Sequence, residues 1–182
     1  MLARSKPKLL LTGPPGCGKT TLIKNIAARI DGPFYGFFTA EIRQGGKIET
    51  ARRVGFAIET FHVPSKTAIF SHVDIKSQYR VGRYGVDIAA FEKAALPEIE
   101  VGIRSGGLII IDEIGKMELF SARFRTLLGE LLDSDLSILA TIFFKPHPFC
   151  DRIKGHPAAE LFTIGERNRD SLADQILARL RG

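Results

Sequence analysis

The stretch Gly13-Pro14-Pro15-Gly16-Cys17-Gly18-Lys19-Thr20 spells G-x-x-x-x-G-K-[ST] without a mismatch, directly after the apolar run Leu9-Leu10-Leu11 and directly before an amphipathic helical pattern. This order calls for a strand, a tight loop and a helix in succession. Consecutive backbone N–H groups and the positive helix end then converge on a polyphosphate. Gly13 and Gly18 let the chain curl at angles a side chain would resist, and Pro14-Pro15 stiffens the entry. Lys19 is spaced to reach the β- and γ-phosphates, and the Thr20 hydroxyl, followed by Thr21, is spaced to ligate Mg²⁺. Cys17 sits at a wild-card position of the motif, where a small side chain is tolerated.

The helix after the loop places Leu22, Ile23, Ile26, Ala27 and Ile30 on one face, and Asp31-Gly32-Pro33 is its stop signal. Residues 36–43 and 48–61 then read as strands joined by the Gln44-Gly45-Gly46-Lys47 hairpin signal, and 67–73 as a further strand. Residues 77–87, with Arg80, Gly82, Arg83, Tyr84 and Gly85, read as a ligand-facing or mobile loop. A helix is expected over 87–104, bent at Pro97. Leu108-Ile109-Ile110-Ile111 reads as a strand buried on both faces of a parallel sheet. Leu119, Phe120, Phe124, Leu127, Leu128, Leu131 and Leu132 form one helical stripe. Residues 137–144 and 161–164 read as strands, and Leu172, Ile176, Leu177 and Leu180 as the face of a closing helix. Alternating strands and helices imply a mainly parallel sheet, with antiparallel edge strands from the early hairpin.

The second half of the expected site is the apolar strand ending in Asp112-Glu113, the Walker B pattern. In open parallel sheets ligands bind beyond the carboxyl ends of the strands, which puts these acids beside the phosphate loop. Asp112 is read as part of the Mg²⁺ shell, and Glu113 as the group that orients or deprotonates a water aimed at the γ-phosphate. Thr141, inside a buried strand, is a weaker candidate for a hydroxyl facing the γ-phosphate. Cations must offset charge spreading over the transferred phosphoryl group, and Arg80, Arg83, Lys116, Lys145, Arg167 and Arg169 fall in expected loops or at element ends. Gly165-Glu166-Arg167-Asn168-Arg169 follows the last strand, where Asn168 and Arg169 are candidates to meet the base.

The chain has 182 residues, 45% hydrophobic and 25% charged, which fits one domain over residues 1–182 with a sizeable core. Arg4, Lys6 and Lys8 precede the phosphate loop with few apolar residues, unlike a signal peptide, and no stretch approaches a membrane span, so a cytoplasmic location is expected. Cys17 and Cys150 are far apart and lack a C-x-x-C partner, so neither a disulfide scaffold nor a cysteine zinc site is indicated. His62, His72, His147 and His156 form no metal-ligand spacing, and no zinc is assigned. The balance of 26 Lys+Arg against 20 Asp+Glu, net +6, favours anionic partners, for which a nucleotide qualifies. Nucleic acid stays open on charge alone, without a zinc-finger spacing, RNA-recognition aromatic motif or long basic run to indicate it.

With both motifs placed, the chain resembles the THEP-type NTPases, also called the cancer-related nucleoside-triphosphatase family. The resemblance rests above all on Asp112-Glu113-Ile114-Gly115-Lys116-Met117-Glu118-Leu119, similar to that family's extended Walker B signature. Gly36-Phe37-Phe38-Thr39, Val81-Gly82-Arg83-Tyr84-Gly85-Val86, Phe91-Glu92-Lys93 ahead of Leu96-Pro97, His147-Pro148 and Asn168-Arg169-Asp170 add to it. It implies a RecA-like three-layer P-loop fold and slow Mg²⁺-dependent hydrolysis of several nucleoside triphosphates, ATP and GTP among them. Ala40 stands where similar sequences often carry proline, and Arg83 where lysine is common. Two other activity classes are weighed beside hydrolysis. A small-molecule phosphotransferase is compatible with the loop, although no arginine-rich lid insertion is evident. A nucleotide-switched binding protein is the other, its guanine-specific form disfavoured because NKxD is absent.

Overall fold

Leu9, Leu10 and Leu11 are all buried, because the strand they form, β1 (Lys8–Thr12), is covered by helices on both sides. Leu9 and Leu11 join one apolar cluster and Leu10 the other, as the alternation of a strand requires. The structure is a computed structural model that describes residues 6–45, 51–61, 65–165 and 167–181. The expected hairpin turn at 44–47 and the first part of the 48–61 strand lie partly outside the described residues, as do Arg4, His62 and Glu166.

In chain order, α1 (Lys19–Ala27), β2 (Phe34–Gln44), β3 (Arg52–Thr60) and β4 (Thr67–His72) follow β1. Next come β5 (Arg80–Val81), β6 (Tyr84–Val86), α2 (Ile88–Ser105) and β7 (Leu108–Ile114). After a 3-10 turn at Glu118–Phe120 the chain forms α3 (Ala122–Asp133), β8 (Ile138–Ile142), α4 (Pro148–Lys154), β9 (Ala159–Thr163) and α5 (Arg169–Arg181). One sheet runs β5-β6-β4-β3-β2-β7-β8-β1-β9. The pairings from β2 through β9 are parallel, and those from β2 outward to β5 are antiparallel. Helices α1 and α5 bury Leu22, Ile23, Ile26, Leu172 and Ile176 on one face. Helices α2, α3 and α4 bury Phe91, Ile99, Phe124, Leu128 and Ile153 on the other, giving an α/β/α sandwich. Each such side chain removed from water stabilises the fold by roughly 1.5–3 kcal/mol. Phe37, Phe91 and Phe124 add ring contacts with centroids 5.2 to 6.1 Å apart.

Two expectations need correction. Residues 77–87 are not an open loop: β5 and β6 form a small hairpin that extends the sheet through pairing of β6 with β4. Tyr84 packs its ring on Phe56 and meets Arg53, contacts too distant in sequence for local reading, and it also meets its neighbour Arg83. The apolar stripe from Leu119 is not one helix. Ser121 starts α3 by accepting from Phe124 N at 3.0 Å while its hydroxyl donates to Glu92 of α2 at 2.6 Å, so Leu119 and Phe120 stay in the separate 3-10 turn. Pro148 opens α4 behind the extended residue His147, at a position where a missing N–H costs nothing. Helix α2 runs through Pro97, capped by Asp87 at its start and by left-handed Gly106 at its end.

Candidate functional site

The phosphate-binding pattern folds as its chemistry demands. Thr12 ends β1, the loop turns through Gly16 and Gly18 at φ 80° and 95°, and α1 starts at Lys19 with Gly18 as N-cap. The left-handed angles are open to glycine and resisted by side chains. A Cβ on Gly13 would stand 2.6 Å from the Ile164 carbonyl oxygen, so this glycine is fixed by close packing of the loop on the chain after β9. Lys19 Nζ donates to the carbonyls of Gly13 and Pro14 at 2.9 and 3.2 Å, which holds its charge over the loop. Pro14, Pro15 and Gly16 are exposed, while Cys17, Gly18, Lys19 and Thr20 are half-buried.

Asp112 and Glu113 are brought to this loop by a bulge. Ile111 pairs with Ala140 and Ile114 with Ile142, so two residues of β7 oppose the single Thr141 of β8. A bulge of this kind re-aims side chains, and here it turns two neighbouring acids toward one region. Thr39 of β2 pins the backbone by donating to the Asp112 carbonyl at 2.8 Å. Thr141 donates to Asp112 Oδ1 at 2.5 Å, short as expected for a charge-assisted O–H···O⁻ bond. Asp112 Oδ2 is buried and has no partner.

Burial pushes the Asp112 carboxyl above the usual carboxylate range, with the Thr141 and Thr20 hydroxyls and the Lys19 and Lys24 charges pulling it back. Glu113 is also raised, first by burial and further by Asp112, against the opposing Lys19 charge. An unpartnered buried carboxylate oxygen next to a threonine hydroxyl is a donor set that fits Mg²⁺. That ion takes one or two protein oxygens and fills its octahedron with water and substrate phosphate.

The remaining candidates disperse. Arg169, at the start of α5, lies over the loop: a Cβ on Gly18 would meet its Cδ at 3.0 Å. Asn168 shapes the turn before α5, accepting from Gly165 N and donating to the Thr163 carbonyl, both at 2.9 Å. Lys116 leaves the end of β7 and sits 5.1 Å from the Phe143 ring centroid. Arg80 and Arg83 lie on the far β5–β6 edge, where Arg80 donates to the Arg83 carbonyl and Arg83 to the Arg53 carbonyl and Tyr84. Lys145 and Arg167 are exposed. A separate cavity of about 370 Å³ is lined by Pro33, Gly107, Leu108, Ser137 and Leu180 at the opposite ends of the parallel strands.

Two residues change standing in three dimensions. Thr141 faces the carboxylate and not open space. Glu118 is 5% exposed, and its carboxyl is pushed up to about 8 by burial and by the Glu113 charge beside it. No signal in the sequence marks it as buried, since an acid within an apolar stripe reads as the solvated side of a helix.

Comparison with known proteins follows the same lines. A family model described as NTPase matches residues 8–177. The chain is 41% identical over 174 residues to the nucleoside-triphosphatase THEP1 of Thermotoga petrophila, covering 96% of this chain and 93% of that protein. The crystal structure of THEP1 from the hyperthermophile Aquifex aeolicus superposes with a TM-score of 0.86 at 39% identity, covering 96% of this chain and 99% of that one. The solution structure of a human cancer-related nucleoside triphosphatase gives 0.76 at 34% identity, covering 94% and 96%.

Proposed function

The chain belongs to the NTPase family, and from that premise we propose that it is a nucleoside-triphosphatase that hydrolyses ATP, GTP and other triphosphates with Mg²⁺, using water as the acceptor. The observation that carries the reading is the bulge that turns Asp112 and Glu113 together toward the phosphate loop. A loop alone holds phosphate; a second acid adjacent to the metal-type acid adds a group able to handle water.

In this reading the N–H groups of residues 13–20 and the start of α1 hold the β- and γ-phosphates. Lys19 exchanges its loop carbonyls for phosphate oxygens, a shift that the solvent-exposed bond to the Pro14 carbonyl permits. Thr20 and Asp112 would hold Mg²⁺, which when bound offsets charge on the β- and γ-phosphate oxygens. Glu113 orients the attacking water and accepts its proton. Water's oxygen forms a bond to the γ-phosphorus as the bond from that phosphorus to the β–γ bridging oxygen breaks, leaving diphosphate and phosphate. Arg169 is the nearest arginine candidate to the loop for charge stabilisation. Base tolerance is supported by the lack of an NKxD motif and by Asn168, the candidate base contact, being engaged in its own turn.

No helix among the described residues is long and apolar enough to cross a membrane, and free thiols at Cys17 and Cys150 support a reducing compartment, the cytoplasm. The test is a screen of triphosphates labelled at the γ-phosphate, with Mg²⁺ and a panel of nucleosides and nucleotides. Label released as free phosphate from several bases supports the assignment. Label appearing in a phosphorylated acceptor would replace it with phosphotransfer.

A further inference from the structure

The 3-10 turn after β7 brings a second glutamate against the first. A Cβ built on Gly115 would stand 2.8 Å from Glu118 Oε2 and 3.5 Å from Glu113 Cδ, so both carboxyl groups converge over the one place where the chain carries no side chain. Glu118 is buried and has no ion pair among the described residues. A buried acid without a cation, placed next to another carboxyl, is settled best when one proton lies between the two. We infer that Glu118 is a positioning residue for hydrolysis: its carboxylic O–H donates to Glu113 and fixes that carboxylate toward the attacking water. This deepens the reading of Glu113 given above and rests on it.

The groups around the turn fit this assignment. On β7, Glu113 and Asp112 both favour the neutral form of Glu118. On α4, the buried Cys150 thiol is pushed up to about 11 and stays neutral across the working range. On α2 and α3, Glu92 is taken up by Ser121 and Arg123, and Arg125 donates to the Leu119 carbonyl. Among the described residues no cation is paired with Glu118. Loss of its proton would therefore place two like charges together and remove the donor that holds Glu113.

The experiment uses the full chain with E118A, E118Q, G115A, the G115A/E118A double variant and E113Q, measuring kcat, KM and fluorescent-nucleotide affinity between about pH 6 and about pH 9.5, a span chosen around the raised Glu118 carboxyl. E118A is expected to lower kcat about tenfold with KM within about twofold, and E118Q, whose amide still donates, to recover most of that loss. Wild-type kcat should fall above pH about 8, the E118Q profile losing that fall. G115A moves Glu118 without removing it, so it should cost about tenfold in kcat in the wild type and less than about twofold in E118A, the coupling expected if both changes act through this one contact. The inference is overturned by E118Q losing as much as E118A, by an unchanged alkaline fall in E118Q, or by additive G115A and E118A losses. If E113Q is inactive while the Glu118 series is flat, only this inference fails; if E113Q turns over normally, the Glu113 assignment fails with it.

Discussion

Thr141 donates a 2.5 Å hydrogen bond to Asp112 Oδ1 and leaves Oδ2 of the same carboxylate without a protein partner. The division of labour is chemical. One oxygen is spent on orientation across β7 and β8, and the other faces the threonine-lined side of the phosphate loop. Removing the hydroxyl with T141V leaves a buried carboxylate short of a donor, and hydrogen bonds to charged groups contribute roughly 1.5–3 kcal/mol. T141V should raise the Mg²⁺ concentration needed for half-maximal rate by about tenfold or more and lower the melting temperature, and T141S should reverse both. A Mg²⁺ titration of phosphate release and a thermal melt read the two effects. An unchanged titration in T141V removes Asp112 orientation from the account.

Lys19 and Glu113 are expected to separate binding from chemistry. K19A removes the cation that Gly13 and Pro14 now hold, and both affinity and turnover should fall, turnover by roughly 10²–10³. E113Q keeps the shape and loses the proton acceptor; nucleotide affinity should stay within about threefold while hydrolysis drops at least about 10². Fluorescent-nucleotide titration beside single-turnover hydrolysis makes the distinction. Equal loss of binding in both variants would count against separate roles.

Two glycines should respond to alanine in opposite directions. Gly36 in β2 has φ +121° and an alanine Cβ there would stand 2.0 Å from the Ile110 carbonyl oxygen, backbone that cannot yield locally. G36A should cost about 3 kcal/mol or more, or prevent folding. Gly129 in α3 has open space around it, and G129A should add about 0.5–1 kcal/mol through helix propensity. Urea unfolding of the two variants tests both signs.

Glu118 should also leave a mark on stability. Its folded-state carboxyl is raised from 4.5 to about 8, so the folded chain holds a proton that the unfolded chain releases. Its contribution is fully present below the unfolded value and is lost as pH rises through the folded one, at up to about 1.4 kcal/mol per unit in between. Unfolding free energy measured across that window should decline in the wild type and decline less in E118Q. A parallel decline in both would assign the pH dependence to other groups.

Much of this was legible in the chain because it is written locally. The phosphate loop specifies its own strand, turn and helix in eight contiguous residues, and Leu9-Leu10-Leu11 and Leu108-Ile109-Ile110-Ile111 can be satisfied only in a strand covered on both faces. What was not legible depends on partners far away in sequence. The Tyr84 contacts that turn 77–87 into β5 and β6 come from Arg53 and Phe56. The break before α3 depends on Ser121 reaching Glu92. Helix α4, at 7 residues, is too short to show a period. Thr141 read as a hydroxyl aimed at phosphate, because its bond to Asp112 follows from a bulge that hydrophobic patterning does not encode.

That bulge also bears on how the activity could be gained or lost in evolution. With two residues of β7 set against one of β8, the second acid is an extra residue in the ladder. Excising a single residue at 112–113 would let the ladder close evenly through to Ile114 while the phosphate loop, the core and the outer strands kept their lengths. Such a chain would keep its grip on nucleotide with one acid too few to consume it. The length of β7, and not only the identity of its residues, therefore bears on the proposed hydrolysis.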